Sequence, residues 1–181
     1  MDAGADIYKL DPPGGGKEQS APSTAYYEHI RKINDVFYDQ IKMSDQKAAY
    51  IFTFMFAFLV SSEEGRSVFT WSRYAQGEIF PVILSAALAL ASMFSLVCAI
   101  LVVLPRKSAT ATTLFWGAWT AHRDSFSKAA DHGEMSYLFR QYFENADALS
   151  AIACSKYHFV NLAFRGLLVT VLAFVGLLAV T

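Results

Sequence analysis

The chain has 181 residues, of which 54% are hydrophobic and 17% charged, and its formal net charge is -1. So little net charge gives no polyelectrolyte character with which to attract nucleic acid. The apolar residues are gathered into long uncharged runs rather than short periodic bursts, which argues against a soluble enzyme and points to lipid.

Residues 1–22 combine Pro, Gly and acidic residues with no apolar signal-peptide core. They are expected to form a disordered tail that starts inside the cell. The cluster Gly14-Gly15-Gly16-Lys17 lacks the spacing of a phosphate-binding loop, Glu18 stands where a hydroxyl residue is required, and it reads as linker. From about Ser23 to Gln46, Tyr26, Ile30, Ile33, Phe37 and Ile41 recur at intervals of three and four between charged residues, the pattern of an amphipathic helix. No Pro or Gly occurs between Ser23 and Gly65, so this helix is expected to run on into a first span at about 47–62. That span is short: Ala48–Ser62 covers about 22 Å against a hydrocarbon thickness of about 30 Å, which leaves a core helix or a re-entrant segment as alternatives.

Ser61 to Glu78 sets Glu63, Glu64 and Glu78 against Arg66 and Arg73 and carries Phe69, Trp71 and Tyr74, aromatics suited to a headgroup interface, so it reads as a short external loop. A second span follows at 79–104, an uncharged run that reaches about 39 Å as a helix. Residues 105–158 then hold Arg106, Lys107, Arg123, Lys128, Arg140 and Lys156. The bias of Lys and Arg places this segment and the N-terminus in the cytoplasm. Thr112–Ala130 reads as helical, and Met135, Leu138, Phe139, Tyr142, Leu149, Ile152 and Ala153 keep a helical period that leads from about Glu134 into a third span at 159–181. The fold expected is an all-α membrane protein of about three transmembrane helices with cytoplasmic amphipathic extensions, one domain over 23–181.

Chemistry-bearing groups are sparse. His122, Asp124, Asp131 and His132 lie close in sequence but without metalloprotease spacing or a second cluster, so no catalytic site, metal or cofactor is expected. Cys98 and Cys154 belong to no CxxC or Cys/His pattern and read as small apolar residues. Small residues at helical spacing carry more meaning in lipid, where close backbone approach drives helix association. Ser85, Ala89, Ser92, Ser95 and Ala99 share one face of the second span, and Ala163, Gly166, Thr170 and Ala173 share one face of the third. Spacing does not say whether these faces pack within one chain or between protomers. Arg165 is a charge inside an apolar run: it either snorkels to the cytoplasmic interface, as Lys47 can, or marks a pore or functional pair.

Four ordered motifs resemble a known family. Asp45-Gln46-Lys47-Ala48-Ala49 resembles an acidic-x-Lys-Ala opening of a first span, and Val102-Val103-Leu104-Pro105-Arg106 an apolar-Pro-Arg exit of a second. Leu114-Phe115-Trp116-Gly117 is similar to an aromatic-Gly segment, and Leu149-Ser150 through Lys156-Tyr157 to a Ser-rich helix ending in Lys. Together, over Asp45–Thr181, they resemble the transmembrane effectors of the Pycsar antiphage systems. The resemblance implies a bacterial inner-membrane protein, triggered by a cyclic pyrimidine mononucleotide made on infection, that impairs the membrane as a homo-oligomer. Fused members of the family carry a cyclic-nucleotide-binding domain, and these residues show no strand pattern for one. The signal would therefore reach the cytoplasmic helices directly or through a sensor protein. The competing reading is a non-toxic scaffold or accessory subunit that binds a cytoplasmic partner.

Overall fold

A computed structural model describes residues 24–75, 78–105, 112–115 and 117–180. The expected tail, the Gly14–Lys17 cluster, Arg106, Lys107, Trp116 and Thr181 lie outside the described residues. Six helices follow in order: α1 Thr24–Ser61, α2 Glu63–Ser67, α3 Ser72–Ala75, α4 Ile79–Val103, α5 Trp119–Asp131 and α6 Met135–Val180. No strand occurs among the described residues.

Two long helices run side by side in the same direction. α1 is uninterrupted because it contains neither Pro nor Gly, and its buried positions Ile30, Asn34, Ser44, Ala48, Ile51 and Met55 fall on one helical stripe. α6 presents a matching stripe, and side-chain bonds from Asn145 to Asn34 and from Lys156 to Asp45 hold the two in a parallel register offset by 111 residues. α4 returns antiparallel between their apolar halves. It stops at Val103, where Leu104 caps it and Pro105 cannot continue it. α5 and α6 are joined by a tight reversal in which Gly133 takes φ +67, and the Glu134 N–H reaches the Ala129 carbonyl at 2.9 Å.

α4 and α6 are long and apolar enough to cross a bilayer. The three long helices share one core of Ala48, Ile51 and Met55 from α1, Leu96, Cys98, Ala99 and Val102 from α4, and Val160 and Ala163 from α6. Outward from it, large apolar side chains are exposed on all three, among them Phe54, Leu90 and Leu172. A bundle with a thin core and an apolar exterior is built for lipid. The chain is an all-α membrane protein.

The expected first span differs from the other two. The apolar part of α1 ends at Ser61, so it covers only about 21 Å from Ala48. By the 111-residue offset Ser61 stands level with Leu172, some 12 Å short of the end of α6. Residues 62–75 fold back into the space above it instead of standing clear as a loop. Ser62 leaves the helix with ψ 130 and its hydroxyl caps α2 by accepting from the Gly65 N–H. Val68 is then buried against Leu88, Ala173 and Leu177.

Candidate functional site

The polar side chains that the fold brings together form three groups along the bundle axis. The first joins the two parallel helices below their apolar halves. Asn34 donates to the Tyr142 carbonyl at 2.9 Å and accepts from the Asn145 amide at 2.6 Å. Thr112 donates to Asn145 at 3.2 Å, and Gln141 accepts from the Thr113 N–H at 2.8 Å, which binds the segment after α4 to α6. Tyr27 packs edge-on against Tyr142 with ring centroids 5.5 Å apart. Burial pushes the Tyr27 phenol above its ordinary pKa, and the Tyr142 phenol adds to this.

Higher on the same seam, Tyr157 donates to Gln40 at 2.6 Å, and the Lys156 ammonium is paired with the Asp45 carboxylate. Lys156 is almost fully buried, whereas the Asp45 side chain is 37% exposed. Lys47 lies over the Tyr157 ring, 5.3 Å from its centroid. This cluster sits where α1 and α6 pass from polar to apolar sequence.

The second group is the seam between α4 and α6. The Ser95 hydroxyl donates to the Ala163 carbonyl at 2.8 Å, and Thr170 donates back to the Gly166 carbonyl. A Cβ at Gly166 would lie 2.9 Å from the Ser95 Cβ and 3.2 Å from the Ala91 carbonyl, so the backbones approach as closely as glycine permits. Ser85, Ser92, Ser95, Ala99, Ala163, Gly166, Thr170 and Ala173 are all buried, and Ala89 packs at their margin. The two small-residue faces therefore meet inside one chain.

The third group closes the end of the bundle where α1 stops and α4 begins. Arg73 makes an ion pair with Glu64 at 2.8 Å and donates to Ser67 at 2.9 Å and to Ser85 at 3.0 Å. Tyr74 donates to the Val68 carbonyl. Ser85 lies six residues into α4, about 9 Å along the axis from its first residue. The Arg73 charge is thus held beside α4 and neutralised there by Glu64.

Other candidates stay apart. Arg165 is exposed on α6. Pro105 lies just past the end of α4, Gly117 lies in a turn, and a Cβ at Gly117 would strike the Phe115 ring at 2.8 Å. His132 Nδ1 contacts only the carbonyl of Lys128 on its own helix, and no group of three metal-ligating side chains forms among the described residues. Sequence patterning did not single out Asn34, Gln141 or Asn145, and it read Arg73 only as a charge of an external loop. Asn34 and Gln141 occupy inward positions of helical stripes, which is the signal that marks them.

A family model described as the Pycsar effector protein domain matches residues 29–181. The chain belongs to that family. No curated protein and no solved structure matches it. As a Pycsar effector domain the chain is an antiphage defence effector. The matched region takes in all three polar groups except Tyr27. Of the motif residues that carry the resemblance, Asp45, Lys47 and Lys156 converge in one cluster at the α1–α6 seam, whereas Pro105 follows the end of α4 and Gly117 lies in the turn before α5.

Proposed function

We propose that this Pycsar effector impairs the bacterial inner membrane when a cytoplasmic signal, a cyclic pyrimidine mononucleotide or a sensor protein, acts on the α1–α6 seam and drives assembly of several copies. The reading places the N-terminus and residues 105–158 in the cytoplasm and treats 23–181 as one unit, with α1 and the folded-back segment 62–75 together filling the third crossing. Its main support is the continuity of α1 and α6. Each passes without a break from the polar seam into the apolar core, so a displacement at Asn34 and Asn145 is carried along rigid helices into the spans. The Asp45–Lys156 pair lies at the transition and serves as the catch of the resting state.

Both small-residue faces are used within the chain, so assembly through them requires α4 and α6 to separate, whereas assembly through the exposed faces does not. Expression with the cognate activator and a potential-sensitive dye tests the reading. Depolarisation followed by loss of viability is expected. Activated cells that keep both potential and viability would overturn it.

A second reading, a scaffold for a cytoplasmic partner, is favoured by the exposed Tyr26, Val36, Tyr38 and Met43 on the polar half of α1. It predicts harmless overexpression and a stable hetero-complex.

A further inference from the structure

The exposed face of α6 changes character along its length. His158, Asn161 and Arg165 are all exposed and recur at intervals of three and four, so they line one face of the helix. Leu168 and Leu172 continue that face outward with apolar side chains only. Level with His158 and Asn161, α1 still carries the polar groups of Lys47 and Tyr50. Deeper, level with Arg165, α1 exposes Phe54 and Phe56, and α4 exposes Phe94 and Val97. A guanidinium at that depth on a lipid-facing exterior needs a partner.

No carboxylate among the described residues supplies one. The ion pairs among the described residues do not include Arg165. The acids that flank it in depth are engaged, Asp45 with Lys156 and Glu64 with Arg73. Arg165 lies about 13 Å along the axis from Lys156, and its side chain leaves the helix leaning toward the Lys156 end, as helical side chains do. Its guanidinium is thereby directed past Asn161 toward His158 and the polar boundary of the bilayer. A planar fork of N–H donors at that boundary matches a phosphate, and the Asn161 amide and the His158 ring add donors on the same side.

We propose that His158, Asn161 and Arg165 form a docking face for the headgroup of an anionic glycerophospholipid, with Arg165 holding the phosphate. Its acyl chains lie along the apolar continuation at Leu168 and Leu172. The opposite charge of the unpaired guanidinium selects an anionic lipid over a zwitterionic one, and the bilayer supplies it at this depth.

The test is native mass spectrometry of the full chain released from detergent with equal amounts of phosphatidylglycerol and phosphatidylcholine. The wild type and Arg165→Lys should retain phosphatidylglycerol preferentially, and Arg165→Leu should lose about fivefold of that preference, the value of one cation near an anionic surface. Arg165 is exposed, so the leucine variant should keep its helix content by circular dichroism. Equal retention of the two lipids by the wild type, or a preference unchanged in Arg165→Leu, would overturn the proposal. So would a lipid-free dimer that Arg165→Leu dissociates. The readout uses neither toxicity nor orientation in the membrane, so it stands or fails separately from the effector reading.

Discussion

Asp45 on α1 and Lys156 on α6 form an ion pair in which the lysine is buried and the carboxylate remains partly open to solvent. The asymmetry decides what each substitution does. Removal of Asp45 strands an ammonium in the interior, whereas removal of Lys156 leaves a carboxylate that water can still reach. Asp45→Ala should lower stability by on the order of 2 kcal/mol, between the limits for buried and surface pairs, and Lys156→Met by less. Thermal unfolding in detergent of both single variants and the double variant measures the difference. Equal losses from the two single changes would contradict the asymmetry.

Gly166 marks the closest approach of α4 and α6. Gly166→Ala places a methyl group 2.9 Å from the Ser95 side chain, so the helices must part, at a cost of about 1–3 kcal/mol. Ser95→Gly should relieve part of that loss in the double variant, because it removes the clashing atom. If Gly166→Ala unfolds at the wild-type temperature, the seam is looser than described.

Asn34 serves three partners at once: the Ile30 and Tyr142 carbonyls and the Asn145 amide. Asn34→Leu is expected to cost about 1–3 kcal/mol by leaving groups of α6 without partners. The loss should be local, with faster amide exchange in the polar halves of α1 and α6 and unchanged protection near Ser95. Uniform loss of protection would show instead that the polar and apolar halves unfold as one unit.

Arg73 anchors the folded-back segment through Glu64, Ser67 and Ser85. Arg73→Ala should free residues 62–75 for proteolysis while α4 and α6 stay protected. A cysteine at Trp71, already exposed in the wild type, should label at the same rate in both backgrounds, and one at the buried Val68 should label faster only with Arg73→Ala. An unchanged rate at Val68 would remove Arg73 as the anchor.

The two longest helices are legible in the sequence because nothing interrupts them. Thr24–Ser61 lacks Pro and Gly, and the helical period of Met135–Ala153 runs into the last apolar stretch. The polar seam is harder to read. Asn34 and Gln141 are buried, yet amides are ordinarily assigned to surfaces, and their partners on other elements lie 108 and 111 residues away for Asn34 and 28 for Gln141. Thr112–Ala130 was expected to be helical, but Thr113, Leu114, Gly117 and Ala118 lie in turns, because Thr112 and Thr113 are bound by Asn145 and Gln141 before α5 starts at Trp119. The charges and aromatics of residues 61–78 read as a short external loop, and that reading carried no sign of its packing. Arg73 pairs with Glu64 and bonds Ser85, which seats the segment beside α4.

Val68 rests on Leu88 of α4 and on Ala173 and Leu177 of α6. Its seat is therefore complete only where those two helices already lie side by side, and residues 62–75 dock on the assembled pair rather than on either helix alone. A nascent chain arrested before Ala173 would carry all of α1 and α4 and still lack the α6 half of that seat.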